Sequence, residues 1–297
     1  YSISINRNYI FSRKNVIKKG IEFSKKSVTG SVFKGNTLDF HSYPFSVHGF
    51  FDWRNIIVAD FFLKNTEGDI IEIGANIGTE TIGFCDILKS RGGIVHAFEP
   101  FPKNFKALQN LKKVVKNLKL YENAISNIET TVSFQVPPLI FSGIGKIIPK
   151  NEGLSHHDII KVKTYTLDKF IDSFNNVKFI SIDTEGHEPF VLKGSVKTLD
   201  KFRPYIVLEV SPKLLKKYSN SNTLEIYNFF KQQSYICYKI NRVSISKINE
   251  YAIVDSKSKN WICIPEELAY KAKSLNKKLF IRAVLPWFLL KNLPSKK

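Results

Sequence analysis

Apolar residues in this chain fall in short runs that alternate with stretches of helical spacing. Residues 69–73 and 93–98 are β-rich apolar runs, and the first breaks into Gly74 to Gly78 and then a helix-like segment to about Arg91. Residues 102–116 open on a proline and carry Phe105, Leu108 and Leu111 on one face, which predicts a helix. Residues 118–121, 179–183 and 204–210 read as further strands, with helices expected over 188–199 and 224–233. Runs at 235–240, 252–255 and 261–264 are set close enough to pair antiparallel at one edge. Residues 130–136 and 160–166 look like extra strands around an irregular stretch, 137–157. Before the core, 48–63 reads as a helix, while 3–5 and 28–33 are short β-like runs. Strands alternating with helices predict an α/β fold with a doubly wound, mostly parallel sheet, an antiparallel edge and terminal additions.

The first two core strands carry the candidate chemistry. A strand breaking into glycines before a helix lets a ligand approach the backbone, with the N–H groups that open the helix facing its anionic end. The loop is Glu72-Ile73-Gly74-Ala75-Asn76-Ile77-Gly78, and Glu99 closes the next strand 21 residues after Gly78, where a carboxylate can accept both hydroxyls of a ribose. The loop lacks the G-x-G-x-x-G of dinucleotide sites and the Gly-Lys-Ser/Thr of a triphosphate loop. With Glu72 just inside the strand it suits a cationic ligand bearing an amino acid, and S-adenosylmethionine has that character.

Three blocks, Glu72 to Gly78, Ala97-Phe98-Glu99-Pro100 and Ile182-Asp183-Thr184-Glu185-Gly186-His187-Glu188, resemble in order and spacing those of the FkbM-type S-adenosylmethionine-dependent methyltransferases. The resemblance covers residues 60–212. It implies a seven-stranded class I methyltransferase sheet and transfer of a methyl group to a hydroxyl of a sugar, glycan or small metabolite.

In an open α/β sheet the ligand lies beyond the carboxyl ends of the strands. Glu72, Glu99, Asp183 and Glu209 each lie at or near such an end and are expected on one rim. The methionine part is assigned to Glu72, Gly74, Ala75, Asn76 and Gly78, the ribose to Glu99, and the adenine to the turn at Asn123, Ala124 and Ile125. A hydroxyl acceptor must lose its proton, so Asp183 is placed nearest the reacting centre, with Glu185 or His187 as proton acceptor. The competing reading for Asp183 and Glu185 is helix capping, and for His187 a surface position at a helix start. Carboxylates and a histidine here could also hold Mg²⁺, but no metal ligand is assigned, because Glu185 and Glu188 can face different ways on the turn. His156 and His157 read as exposed loop polars.

Composition changes this picture little. With 297 residues, 43% hydrophobic and 24% charged, the chain suits one catalytic domain, residues 51–264, between a basic β-like extension, 1–50, and a basic, apolar helical tail, 265–297. The net charge is +19, with eight Lys/Arg against two Asp/Glu in each of the two terminal segments, so the basic excess is concentrated away from the cofactor motif. That charge keeps an RNA methyltransferase as the alternative, although an acidic acceptor rim argues against nucleic acid. A non-catalytic binding module is the other alternative. Cys85, Cys237 and Cys263 have no metal or redox spacing and suit a reducing compartment. No 18-residue apolar run and no secretory h-region are present, so a cytoplasmic protein is expected, and the lack of methionine suggests a fragment or processed product. Residues 279–290 are apolar, carry Trp287 and are flanked by lysines, a pattern for weak peripheral membrane contact. The sequence specifies no oligomeric state.

Overall fold

The computed structural model describes residues 20–64, 66–149, 158–250 and 257–284. The expected strand at 252–255, the run at 3–5, His156, His157 and the tail beyond 284 lie outside them. Among the described residues no helix is long and apolar enough to cross a membrane.

The central sheet is built on β3 (Asp69–Ile73), β4 (Val95–Phe98), β5 (Leu118–Tyr121), β10 (Val177–Ile182), β11 (Tyr205–Val210), β12 (Tyr235–Ile240), β13 (Ile245–Lys247) and β14 (Lys259–Pro265). Their spatial order is β13-β12-β14-β11-β10-β3-β4-β5. From β11 to β5 neighbours run parallel; β14 pairs antiparallel with both β11 and β12. This is the expected doubly wound sheet with an antiparallel edge, extended to eight strands by β13, which the sequence reading lacked. β3 is buried along its whole length because helices cover both of its faces. On one face lie α2 (Trp53–Phe62), α3 (Thr81–Lys89), α4 (Pro102–Lys112) and α8 (Ala272–Val284), filling the core with Ile57, Phe84, Leu108 and Leu279. The other face holds α5 (Glu188–Lys193), α6 (Val196–Phe202) and α7 (Thr223–Gln232), contributing Leu192, Leu199 and Phe230.

Three expected helices differ, each for a local reason. The segment 48–63 splits: α1 (Ser42–His48) ends at Gly49 with φ 77°, and α2 starts behind Asp52, whose side chain accepts from the Arg54 amide. The segment 188–199 splits at Gly194, where an added Cβ would lie 2.0 Å from the Ser126 carbonyl oxygen. α4 ends at Lys112, four residues early, although Val115 is still buried against the core. The run at 28–33 is mostly a turn between β1 (Glu22–Lys26) and β2 (Val32–Asn36), which form their own hairpin. Asp86 of α3 anchors that turn, accepting from the Ser31 amide at 2.9 Å and the Thr29 hydroxyl at 2.6 Å. The extra strands form a second sheet, β6 (Ala124–Ile125), β9 (Ile159–Tyr165), β7 (Thr130–Gln135) and β8 (Lys146–Ile147), at the carboxyl rim of the first.

Candidate cofactor and acceptor site

Strand register sets the level of the site. Ile73 lies opposite Phe98 on one side and Ile182 on the other, and Ile182 lies opposite Leu208. The next residue on each strand, Gly74, Glu99, Asp183 and Glu209, therefore stands side by side on one rim. The pairing continues into the loops: the Gly74 and Ala75 amides donate to the Phe98 carbonyl, and the Asp183 amide to that of Ile73.

A cleft opens at this rim. Gly74, Asn76, Glu99, Ala124, Asp183 and His187 line it among the residues singled out from sequence, with Asn123 and Ile125 beside Ala124. Glu72, Ala75, Gly78 and Glu185 do not line it. Gly78 packs under the loop, where an added Cβ would lie 2.7 Å from Leu111 Cδ2. Glu72 sits buried beneath the loop, and its Oε2 has no hydrogen-bond partner. The Thr81 hydroxyl lies close enough to oppose the shift of Glu72 but falls short of a bond, being itself buried and unpartnered. Burial, then the charges of Glu99 and Asp183, push the Glu72 carboxyl up to about 8.

Glu99 is buried and held from both sides. Oε2 accepts from the Asn76 amide at 2.8 Å and Oε1 from the Phe101 amide at 2.9 Å. Burial pushes its pKa up to about 7 against the pull of these bonds. Each oxygen keeps a free lone pair for a ligand hydroxyl. Asn76 bends the loop toward Glu99 with φ 50°, a left-handed conformation asparagine tolerates.

The acidic block separates into two functions. Glu188 is buried and accepts from the Thr184 amide and hydroxyl, each at 2.9 Å, and from the Gly186 amide at 3.3 Å, so it closes the turn before α5. Asp183, Glu185 and Glu209 instead converge, with one carboxylate oxygen from each within 4.8 Å of the others. Asp183 is surrounded by protein yet open to the cleft, and its surroundings, then Glu209 and Glu188, raise its pKa. Glu185, at φ 55°, is pushed up to about 8 by burial and the Asp183 charge, with Lys146 opposing. Burial and Glu185 bring Glu209 to about 7. The cluster of acidic residues read from sequence is thus rearranged: Glu209 joins Asp183 and Glu185, while Glu188 is spent on the turn and His187 bonds Ser126.

His187 is not the surface residue its position at a helix start suggests. It is 7% exposed, its Nε2 shares a 2.9 Å hydrogen bond with the Ser126 hydroxyl, and burial lowers its pKa to about 4. The imidazole is neutral at pH 7.

Other cleft residues escaped the sequence reading. Asn104 on α4 is buried and its Nδ2 donates to Asn76 Oδ1 at 3.0 Å and to the Ser142 carbonyl at 3.1 Å. A signal existed: positions 104, 108 and 111 share one helix face, and a polar residue on an apolar face calls for a partner. Ser142, Gly143, Gly145, Lys146 and Ile147 form a wall from the stretch first taken as irregular.

The raised carboxyls fix how stability responds to pH. The folded chain keeps protons on Glu72, Glu99, Glu185 and Glu209 that the unfolded chain, with its ordinary value of 4.5, has released. Their contribution is present below that value and lost as pH rises through 7 to 8. Thermal melts are therefore expected to fall between about pH 5 and 8, and Glu72→Gln should flatten the slope. A melting temperature that climbs over this window contradicts the assignment.

Residues 72–237 match the methyltransferase FkbM domain. The hexuronic acid methyltransferase AglP of Haloferax volcanii is 27% identical over 158 residues, 52% of this chain. The chain spans about six-tenths of that relative, 61% of its length. A methyltransferase FkbM structure from Methylobacillus flagellatus aligns with TM-score 0.44 and 16% identity, over 66% of this chain and 43% of the other. Aeropyrum pernix fibrillarin, solved with bound S-adenosyl-L-methionine, aligns with TM-score 0.38 and 13% identity, over 71% and 76%. With more than half of its length inside the family's domain, the chain belongs to the FkbM methyltransferases, and S-adenosylmethionine is its cofactor.

Proposed function

We propose that the chain methylates a hydroxyl group on a sugar, glycan or related small metabolite. The observation that carries this is the open triad of Asp183, Glu185 and Glu209 beside the glycine loop. The cleft suits the cofactor because Gly74 and Asn76 of the loop line it together with the acidic Glu99 and Asp183, which favour a sulfonium. Gly74 and Asn76 would hold the methionine part over the buried Glu72, with Glu99 on the ribose hydroxyls and Ala124 against the adenine. Bound there, S-adenosylmethionine supplies an electrophilic methyl group. The protein's part is to hold the acceptor oxygen in line and take its proton. In this reading Asp183, which lines the cleft, takes that proton, Glu185 and Glu209 stand beside it, and clustered carboxyl groups also accept hydrogen bonds from sugar hydroxyls. His187, with its low pKa and its bond to Ser126, serves better as a wall of the cleft than as a base.

Lys146 supports a second reading, since it is the only lysine or arginine lining the cleft among the described residues. A hexuronic acid, the substrate class in the relative's name, offers a carboxylate for it. The acidic rim argues against phosphate-rich acceptors despite the net charge of +19. Labelled cofactor with neutral sugars, uronic acids and RNA, followed by mild alkali, separates these readings. Alkali-stable label on a sugar, a methyl ether, is the expected result. Alkali-labile label confined to uronic acids moves the reaction to a carboxyl group, and label confined to RNA overturns the proposal.

A further inference from the structure

The wall of the cleft formed by Ser142 to Ile147 is held from outside the family domain. It belongs to neither main-sheet layer, and among the described residues its two-residue strand β8 pairs only with the end of β7. Such a segment sits at the low-stability end of a fold unless something fixes it. The fixing contacts come from the start of α1. Asp39 Oδ2 accepts from the Ser142 amide at 2.9 Å, while Oδ1 accepts from the His41 and Ser42 amides, each at 2.9 Å. Beside it, the Phe40 amide donates to the Ile140 carbonyl at 2.9 Å. The His41 ring lies so close to Gly143 that an added Cβ would be 2.2 Å from Cε1.

This contact continues to the cofactor loop. The Ser142 carbonyl accepts from Asn104, Asn104 also donates to Asn76 Oδ1, and the Asn76 amide donates to Glu99. We propose that Asp39 is a positioning residue for the methyltransferase reaction: it holds the Ser142 wall against the cofactor loop, so that the cleft is complete only with the N-terminal hairpin and α1 in place. The proposal rests on the cofactor occupying this cleft. Asp39 touches neither cofactor nor acceptor, and acts through Ser142 and Asn104.

Asp39→Ala removes acceptors from three backbone amides and frees the wall. Calorimetry is expected to show cofactor affinity reduced about tenfold or more. Hydrogen exchange on the loaded protein should then speed up over residues 137–147, with β3, β4 and β10 still protected. Asp39→Asn keeps one accepting oxygen but turns an NH₂ donor toward the amides on its other side, so it should restore the affinity only in part. Gly143→Ala, which displaces the His41 ring, should act in the same direction as Asp39→Ala. Unchanged affinity and exchange in folded Asp39→Ala overturn the positioning role alone. Loss of protection across the core strands overturns it too, by showing a general stability defect. If Glu99→Ala binds cofactor as wild type does, the cleft assignment fails, and this role fails with it.

Discussion

Asp183→Asn is expected to lower turnover by on the order of 100-fold or more, with cofactor affinity close to wild type. The substitution keeps the shape of the side chain and the backbone bond from the Asp183 amide to Ile73, so the rim stays in register. Capping does not explain the residue, because Glu188 takes the bonds that close the turn before α5. What the substituted carboxamide lacks is a proton-accepting oxygen open to the cleft. Removing one acidic group from the cluster also relieves its repulsion with Glu209, so the folded protein should melt at the same temperature or higher. Saturating-cofactor kinetics and a melt of the same sample decide it. Normal turnover with a lowered melting temperature would return Asp183 to a structural role.

The parallel half of this fold was legible because buried strands leave an unambiguous trace. β5 and β12 lie at the residues expected, and β3, β4, β10 and β11 within two residues at either end. The cofactor rim was legible for the same reason: once Ile73, Phe98, Ile182 and Leu208 are aligned as strand ends, Gly74, Glu99, Asp183 and Glu209 follow one after another. Helix breaks were harder to place. Gly49 and Gly194 interrupt otherwise apolar spacing, and at Gly194 the cause is a tertiary approach to Ser126 that no local pattern records.

The least legible part of the site was the wall at Ser142 to Ile147 and its support. Asp39 and Ser142 meet through one backbone amide across 103 positions of sequence, and a backbone donor leaves no mark on residue choice. The direction of each acidic side chain was equally hidden. Glu185 and Glu188 are three residues apart, yet with φ 55° at Glu185 and 101° at Gly186 one joins Asp183 and Glu209 while the other turns back to close its own turn. The net charge gave no guide to this rim, since a chain at +19 gathers Asp183, Glu185 and Glu209 there.

Gly74→Ala should cause the largest single loss. Gly74 sits at φ 86°, where an L side chain costs about 1–2 kcal/mol before any contact is considered. Its new Cβ would then lie 1.9 Å from the Asp183 carbonyl oxygen and 2.9 Å from the carbonyl carbon. Those atoms belong to the backbone of the adjacent strand end, so no rotamer change relieves the overlap. Either the loop lifts, losing the bonds from the Gly74 and Ala75 amides to Phe98, or the end of β10 is pushed aside and takes Asp183 with it. Both routes damage cofactor binding and the acceptor rim together. We expect about 3 kcal/mol or more of lost stability, in the range reserved for strain and overpacking at special backbone positions, and no measurable cofactor binding. Gly78→Ala provides the contrast. It carries similar strain at φ 89°, but its Cβ would meet only the methyl ends of Leu111 and Leu108, at 2.7 and 3.0 Å, which can turn away. Denaturant unfolding should therefore rank Gly78→Ala well above Gly74→Ala, and calorimetry should detect cofactor binding in the first alone. Equal stability of the two variants would mean that the contact between the β3 and β10 strand ends does not set the geometry of this site.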